Sequence, residues 1–143
     1  VIGLAAERAG PSHRNQFLHI ERLLRERRDN LSLAEFNTLD RRIDETVLAA
    51  AAEPFLQHTL RPLHTIFRRI GFIYHSAMPQ RVSLTVSIDH HIAVLNAIAA
   101  RRADEAVAAS DALIGFVDGM FDEMEAAIDP SLLDCAVEPL LKT

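Results

Sequence analysis

The sequence has a single cysteine and no long apolar run, and few of its stretches carry the alternating pattern of a β-strand. The lone Cys135 excludes a disulfide within the chain and is typical of a reducing compartment, so we expect a cytoplasmic protein. A membrane span needs roughly 18 or more consecutive apolar residues, and no stretch approaches that length. The sequence therefore predicts neither a disulfide-stabilised scaffold nor a membrane partner.

Positive charge is also scarce, because 15 Lys and Arg stand against 20 Asp and Glu, a net charge of -5. This balance argues against the segment binding nucleic acid by itself. A Gly-rich phosphate loop, a nucleophile elbow, a CxxC pair and a Ser-His-Asp order, which mark several enzyme classes, are also missing. The first ten residues lack the features of a signal peptide, and without an initiator Met we expect a segment of a longer protein.

The abundant residues, Ala, Leu, Glu and Arg, favour helices, and a chain of 143 residues is enough for one domain with a sizeable core. We predict an all-α fold of six or seven helices over residues 1–128, followed by a C-terminal tail over 129–143.

Capping residues and prolines indicate where the helices begin and end. Ser12 and Asp104 are predicted N-caps, and Ser32 with Glu35 forms the pattern of a capping box. Pro62 lies inside the fourth helix, where it should introduce a kink. The apolar residues of that helix are predicted to face inward: Leu56, Leu60, Leu63, Phe67, Ile70 and Tyr74.

Three groups with metal-ligand chemistry lie on faces that should be buried. At about 100° per residue, Asp40 falls within the apolar stripe of the third helix and Asp44 falls on its edge. In the fifth helix, His91 falls between Ile88 and Leu95 on the apolar face. Carboxylate and imidazole groups on facing helices suit a divalent metal such as Zn, Ni or Mn. The alternative is a buried Asp–His hydrogen bond, or an Asp paired with an arginine.

Two residues of the fourth helix are candidates for binding a ligand in the same space. His64 lies beside the inward stripe, and Arg68 follows one turn later. An arginine can bind a ligand carboxylate through two parallel hydrogen bonds. The alternative for both residues is an ordinary surface position. The other histidines, including His75, show no ligand spacing, and most of them are predicted to lie on the surface.

Three stretches of the sequence, in this order and at this spacing, resemble a known family. They are similar to the C-terminal effector domain, or FCD domain, of the FadR subgroup of GntR-type bacterial transcription regulators. The resemblance covers nearly the whole chain. The stretches are Leu4–Ala9 (LAAERA), Leu39–Asp44 (LDRRID) with Ala51–Leu56 (AAEPFL), and His91–Ile98 (HIAVLNAI).

The resemblance implies an antiparallel helical bundle that senses a small organic acid, dimerises, and follows a DNA-binding winged helix-turn-helix. In that family the bundle commonly binds a divalent metal through one Asp and three His. Those positions fall on Asp40, Asp44, His91 and Leu113 in this sequence, and Leu113 cannot bind a metal. The resemblance therefore implies a partly eroded metal site, and DNA binding only through a domain that is absent from these residues.

We predict a ligand-sensing and dimerisation domain of a transcription regulator, which acts as a homodimer and is not an enzyme. The expected effector is a small carboxylate. Because Asp40 and Asp44 add negative charge to the pocket, that anion needs a bound metal or Arg68 as its counter-charge. Two alternatives remain open: a small metal-dependent helical-bundle enzyme that uses Asp40, Asp44 and His91, and a dimerisation module whose pocket is vestigial.

Overall fold

A computed structural model describes residues 1–79 and 82–127, and in these ranges the chain forms six helices and no strand. The prediction of an all-α fold is confirmed. The predicted C-terminal tail over 129–143 lies outside the described residues, as does Cys135. No helix in the described ranges is both long enough and apolar enough to cross a bilayer. The helices are α1 Ile2–Arg8, α2 Pro11–Glu26, α3 Leu33–Ala51, α4 Pro54–Ala77, α5 Leu84–Ala99 and α6 Ala103–Ala127.

The predicted capping box opens α3. The Glu35 backbone N–H donates to the Ser32 hydroxyl oxygen at 3.1 Å, and the Ser32 backbone N–H donates to the Glu35 carboxylate at 2.9 Å. The box satisfies two backbone donors that a helix start otherwise leaves without partners. At the other end, α3 stops at Ala52, whose φ of 54° is left-handed and cannot continue the helix.

Two other predicted N-caps are wrong. Helix α2 begins at Pro11 with Gly10 as its N-cap, so Ser12 lies inside the first turn and makes no capping hydrogen bond. Proline suits the first helical position because it has no N–H to satisfy and its φ is already helical. Helix α6 begins at Ala103, and Asp104 instead places its carboxylate in the first turn, where the helix dipole favours negative charge.

A core of buried apolar side chains joins α1, α2, α3, α5 and α6. Helix α5 lies against α2 and α6, while α1 packs against α3 and α6. These contacts bury the apolar faces whose helical period predicted the fold. The fully buried side chains of α2 and α5 are Phe17, Ile20, Leu24, Ile88, Leu95 and Ile98.

Helix α4 lies between α3 and α6, and Pro62 does not interrupt it. The C-terminal half of α4 is fixed to α6 by Tyr74, which is buried and donates a hydrogen bond from its hydroxyl to Glu123 at 2.7 Å. Leu63 and Phe67 were predicted to face inward, but they remain 44% and 40% exposed. Both line a cavity rather than a packed core, so they face inward as predicted without being fully buried.

Candidate functional site

A cavity of about 220 Å³ lies among α3, α4, α5 and α6, and Val1 and Ile2 at the start of the chain also line it. Every residue for which the sequence suggested metal or ligand binding lines this cavity. Leu113 of α6 lies in the same wall. The five candidate residues that the structure brings together are Asp40, Asp44, His64, Arg68 and His91.

His91 and Asp40 contact each other across the cavity. The distance from His91 Nε2 to Asp40 Oδ1 is 3.1 Å, and His91 Nδ1 donates to the Ser87 carbonyl oxygen at 2.7 Å. Because a carbonyl and a carboxylate both accept, each ring nitrogen needs a hydrogen, so His91 is an imidazolium. Burial acts to lower the pKa of His91, but the charge and hydrogen bond of Asp40 raise it above its usual value. The buried Asp–His hydrogen bond, one of the alternatives to a metal, is therefore present.

Asp44 forms an ion pair with Arg68. The Arg68 guanidinium donates from Nη1 to Asp44 Oδ2 at 2.5 Å, and the two side chains are only 12% and 23% exposed. Burial and the nearby Asp40 carboxylate raise the pKa of Asp44 to about 7, while Arg68 acts in the opposite direction. Arg68 is thus the group that opposes protonation of this buried carboxyl group, and the alternative of a surface position for Arg68 is wrong.

His64 approaches the other oxygen of the same carboxylate. Its Nδ1 lies 3.9 Å from Asp44 Oδ1, and this nitrogen is buried with no hydrogen-bond partner among the described residues. Burial and the Arg68 charge lower the pKa of His64, so the ring is neutral near pH 7 and makes no ion pair with Asp44. His64 therefore offers a polar nitrogen beside Arg68, one helical turn away on the same face of α4.

His75 is a cavity residue that the sequence did not single out as a site candidate. It is buried, lines the cavity, and hydrogen-bonds through Nε2 to the Ser87 hydroxyl at 2.8 Å. The spacing of His64, Arg68 and His75 by four and then seven residues puts all three on one helix face, which was a usable signal.

The remaining walls of the cavity are mostly apolar, with Asn37 and Ser110 as further polar residues. On α4, Gly71 lies between Arg68 and His75, and a Cβ built there would meet nothing within 4 Å. The missing side chain leaves part of the cavity open. The apolar wall residues include Phe36, Val47, Phe67, Val94, Leu113 and Val117.

These residues do not make up a complete metal centre. Within residues 1–79 and 82–127, no set of three or more His, Cys, Asp or Glu side chains is arranged to hold a metal ion. Asp44 is turned to Arg68, and Leu113 contributes no ligand. Some FCD domains bind metals, but the assignment of Asp40, Asp44 and His91 as ligands for Zn, Ni or Mn stays a prediction for this chain.

The family model of the FCD domain matches residues 1–116. Searches of curated proteins and of solved structures found no match.

Proposed function

The chain belongs to the FCD family, the C-terminal domains of GntR-family transcription regulators, and we propose on this basis that it senses an effector for such a regulator. The observation that carries the proposal is the cavity, in which two ion pairs lie side by side within apolar walls. Concave apolar sites with a few convergent polar groups are typical of small-molecule binding. The effector is a small organic acid whose carboxylate contacts Arg68.

A regulatory role fits the family better than the alternatives. FCD domains are regulatory domains of transcription factors and are not typically catalytic, which favours an effector domain over a metal-dependent enzyme. The retained cavity favours ligand sensing over a module that only dimerises. DNA binding belongs to a winged helix-turn-helix domain outside these residues.

Helix α1 connects the cavity to the rest of the regulator. Val1 and Ile2 line the cavity, and one residue later α1 packs so closely on α6 that a Cβ at Gly3 would lie 3.2 Å from Val107. Because α1 already lies close to α6 at Gly3, the two helices have little space between them. An effector that fills the cavity beside Val1 and Ile2 therefore changes the position of α1. The effector thereby shifts the population of arrangements available to the DNA-binding domains.

The regulator acts as a homodimer, as in the related family. Phe55 and Ile66 support this assignment, because they are 78% and 41% exposed on α4 and neither lines the cavity. Contiguous exposed apolar patches mark protein interfaces, and Ile66 is a neighbour of the partly exposed Leu63 and Phe67 on α4. Sedimentation of the protein with Ile66→Glu should then give a weaker dimer than the unmodified chain.

Metal binding at Asp40, Asp44 and His91 is weak. A divalent cation would have to compete with Arg68 for Asp44, and the third histidine position of the family is Leu113. Two ligands that face each other, Asp40 and His91, are fewer than the three or four protein ligands of typical zinc sites.

The test is DNA binding by the full-length regulator, measured by fluorescence anisotropy on a DNA fragment that the protein selects from random sequence. A panel of small organic acids should contain one that changes DNA affinity by at least about fivefold. The variant Gly71→Leu should fill the cavity and abolish that response while DNA binding persists.

The matched control is Gly115→Leu, at an exposed α6 position where a Cβ also meets nothing. This control should respond like the unmodified protein. An effector response that survives in Gly71→Leu, or a full-length protein that binds no DNA, would contradict the proposed function.

A further inference from the structure

We propose that Arg68 is the resident cation of this cavity in place of a divalent metal, and that the effector is a monocarboxylic acid with an apolar body. This inference rests on the proposed function and names the class of effector. It is carried by the pairing of the charged groups, by the apolar walls and by the size of the cavity.

The charges in the cavity form two pairs with no group left over for a metal. His91 Nε2 lies 3.1 Å from Asp40 Oδ1, and Arg68 Nη1 donates to Asp44 Oδ2. A metal ion at Asp44 would have to displace a guanidinium that already contacts this carboxylate at 2.5 Å. Metal and Arg68 are therefore alternatives at this position, and the chain carries Arg68 permanently.

Arg68 keeps donors that a ligand can use. A guanidinium has five N–H bonds, and the described contacts of Arg68 are one from Nη1 to Asp44 and one from Nη2 to Thr65 at 3.3 Å. Because Arg68 lines the cavity, its remaining N–H groups can donate to a ligand bound there. A ligand carboxylate can accept this charge-assisted hydrogen bond.

Several other polar groups of the cavity are occupied by each other, and the further polar lining residues are His64, Asn37 and Ser110. Asp40 is held by His91, His91 by the Ser87 carbonyl, and the Ser87 hydroxyl by His75. A polyhydroxy acid would bury several hydroxyl groups, and each buried hydroxyl without a partner costs roughly 1–3 kcal/mol. A single carboxylate on an apolar body avoids that cost and covers the apolar walls.

The size of the cavity limits the body of the acid. An apolar cavity of about 150 Å³ holds benzene, which has six non-hydrogen atoms. At the same volume per atom, the cavity of about 220 Å³ holds a ligand of roughly nine non-hydrogen atoms. Heptanoate and cyclohexanecarboxylate have this size. Two compounds of the same size serve as comparisons. Malate has the same number of non-hydrogen atoms but is polar along its whole length. Heptanamide has the shape of heptanoate but carries no charge.

The experiment is isothermal titration of the full-length protein with these four compounds and with heptylamine. Each titration is run once with EDTA and once with Zn, Ni or Mn. We expect heptanoate and cyclohexanecarboxylate to bind equally well in both buffers, and malate, heptanamide and heptylamine to bind at least about tenfold more weakly. Arg68→Gln should weaken heptanoate binding at least about tenfold.

The matched control is Arg69→Gln, which removes an exposed arginine from the next position of α4 and should leave heptanoate affinity within about twofold. Because Arg68→Gln leaves Asp44 buried without a cation, its fold is checked by circular dichroism. The double variant Arg68→Gln/Asp44→Asn also removes the unpaired charge of Asp44. We expect it to lose heptanoate affinity to the same extent as Arg68→Gln.

Three results would overturn the inference. Malate that binds only with added metal would favour a metal-bound polar acid and leave the proposed function standing. Heptanamide or heptylamine that binds as well as heptanoate would show that Arg68 does not select a carboxylate. Failure of heptanoate to bind in either buffer would exclude apolar monocarboxylic acids as the effector class. The proposed function is contradicted only by the DNA-binding test with Gly71→Leu.

Discussion

At the residue scale, Arg68 determines the electrostatics of the cavity. It is the closest cation to Asp44, and both side chains are largely buried. Removing one partner of a buried ion pair leaves an uncompensated charge, which typically costs about 3–5 kcal/mol. The same contact makes Arg68 a competitor of any metal that needs Asp44.

The competition between Arg68 and metal predicts how metal affinity can be restored. Leu113→His adds an imidazole to the cavity that Asp40, Asp44 and His91 also line, and it should raise Zn or Ni affinity at least about tenfold, or about 1.4 kcal/mol. Combining Leu113→His with Arg68→Gln should raise the affinity further, because Asp44 is then free to bind the ion. Isothermal titration with each metal measures both effects.

The control for that experiment is Ala112→His, which places a histidine at an exposed position one residue earlier on α6. It should leave metal affinity unchanged. If Leu113→His gives no more gain than Ala112→His, then Asp40, Asp44 and His91 are not arranged as a metal site.

His75 should make the stability of the protein depend on pH. Burial lowers the pKa of His75, so the unfolded chain binds a proton at a higher pH than the folded chain does. The stabilisation is therefore present above about pH 6.5 and is lost as the pH falls toward the folded pKa. We expect the free energy of unfolding to fall less between pH 7.5 and roughly 5.5 in His75→Gln than in the unmodified protein.

Chemical denaturation at several pH values checks this expectation for His75. His64, His91 and Asp44 also have shifted pKa values, so the informative quantity is the difference between each variant and the unmodified chain. His58→Gln changes an exposed histidine on the same helix and should reproduce the unmodified pH profile. Identical profiles for His75→Gln and His58→Gln would show that burial of His75 does not act on stability.

Single residues differ in how far the sequence could place them. The positions of Asp40 and His91 followed from the helical period, since each interrupts an apolar face that must be buried. The pairing of Arg68 with Asp44 could not follow, because a helical wheel describes one helix and not the helix that faces it.

At the element scale, α3 carries two of the cavity's carboxylates and depends on its capping box for a defined start. Ser32→Ala removes the side-chain acceptor for the Glu35 N–H and should lower the free energy of unfolding by about 1 kcal/mol. Ser12→Ala is the matched control, because Ser12 makes no capping hydrogen bond in α2, and it should change stability by less than about 0.5 kcal/mol. Equal effects of the two substitutions in chemical denaturation would contradict the assignment of the cap.

Helix α4 shows what periodicity leaves undetermined for a whole element. Its apolar period predicted which face is buried, and Tyr74 on that face is buried as expected. The period does not say whether a face meets a packed core or an open cavity. Leu63 and Phe67 stay partly exposed for that reason.

At the scale of the whole molecule, the sequence predicted the class of fold and the structure added the cavity. The absence of strand patterns and the repeated apolar period were enough for an all-α fold of six or seven helices. The cavity depends on the angles and distances between α3, α4, α5 and α6, and on the position of Val1 and Ile2 beside them. Those relations come from side-chain packing between helices, which no single stretch of sequence contains.

The most direct test of the account is a crystal structure of the full-length protein grown with both heptanoate and a zinc salt present. We expect the heptanoate carboxylate to lie within roughly 3 Å of the Arg68 guanidinium. We also expect the alkyl chain to lie along Phe36 and Leu113, and anomalous scattering to show no zinc between Asp40 and Asp44. A zinc ion bound by Asp40 and His91 with the acid coordinated to it, or a cavity without heptanoate, would contradict the claim that Arg68 replaces the metal.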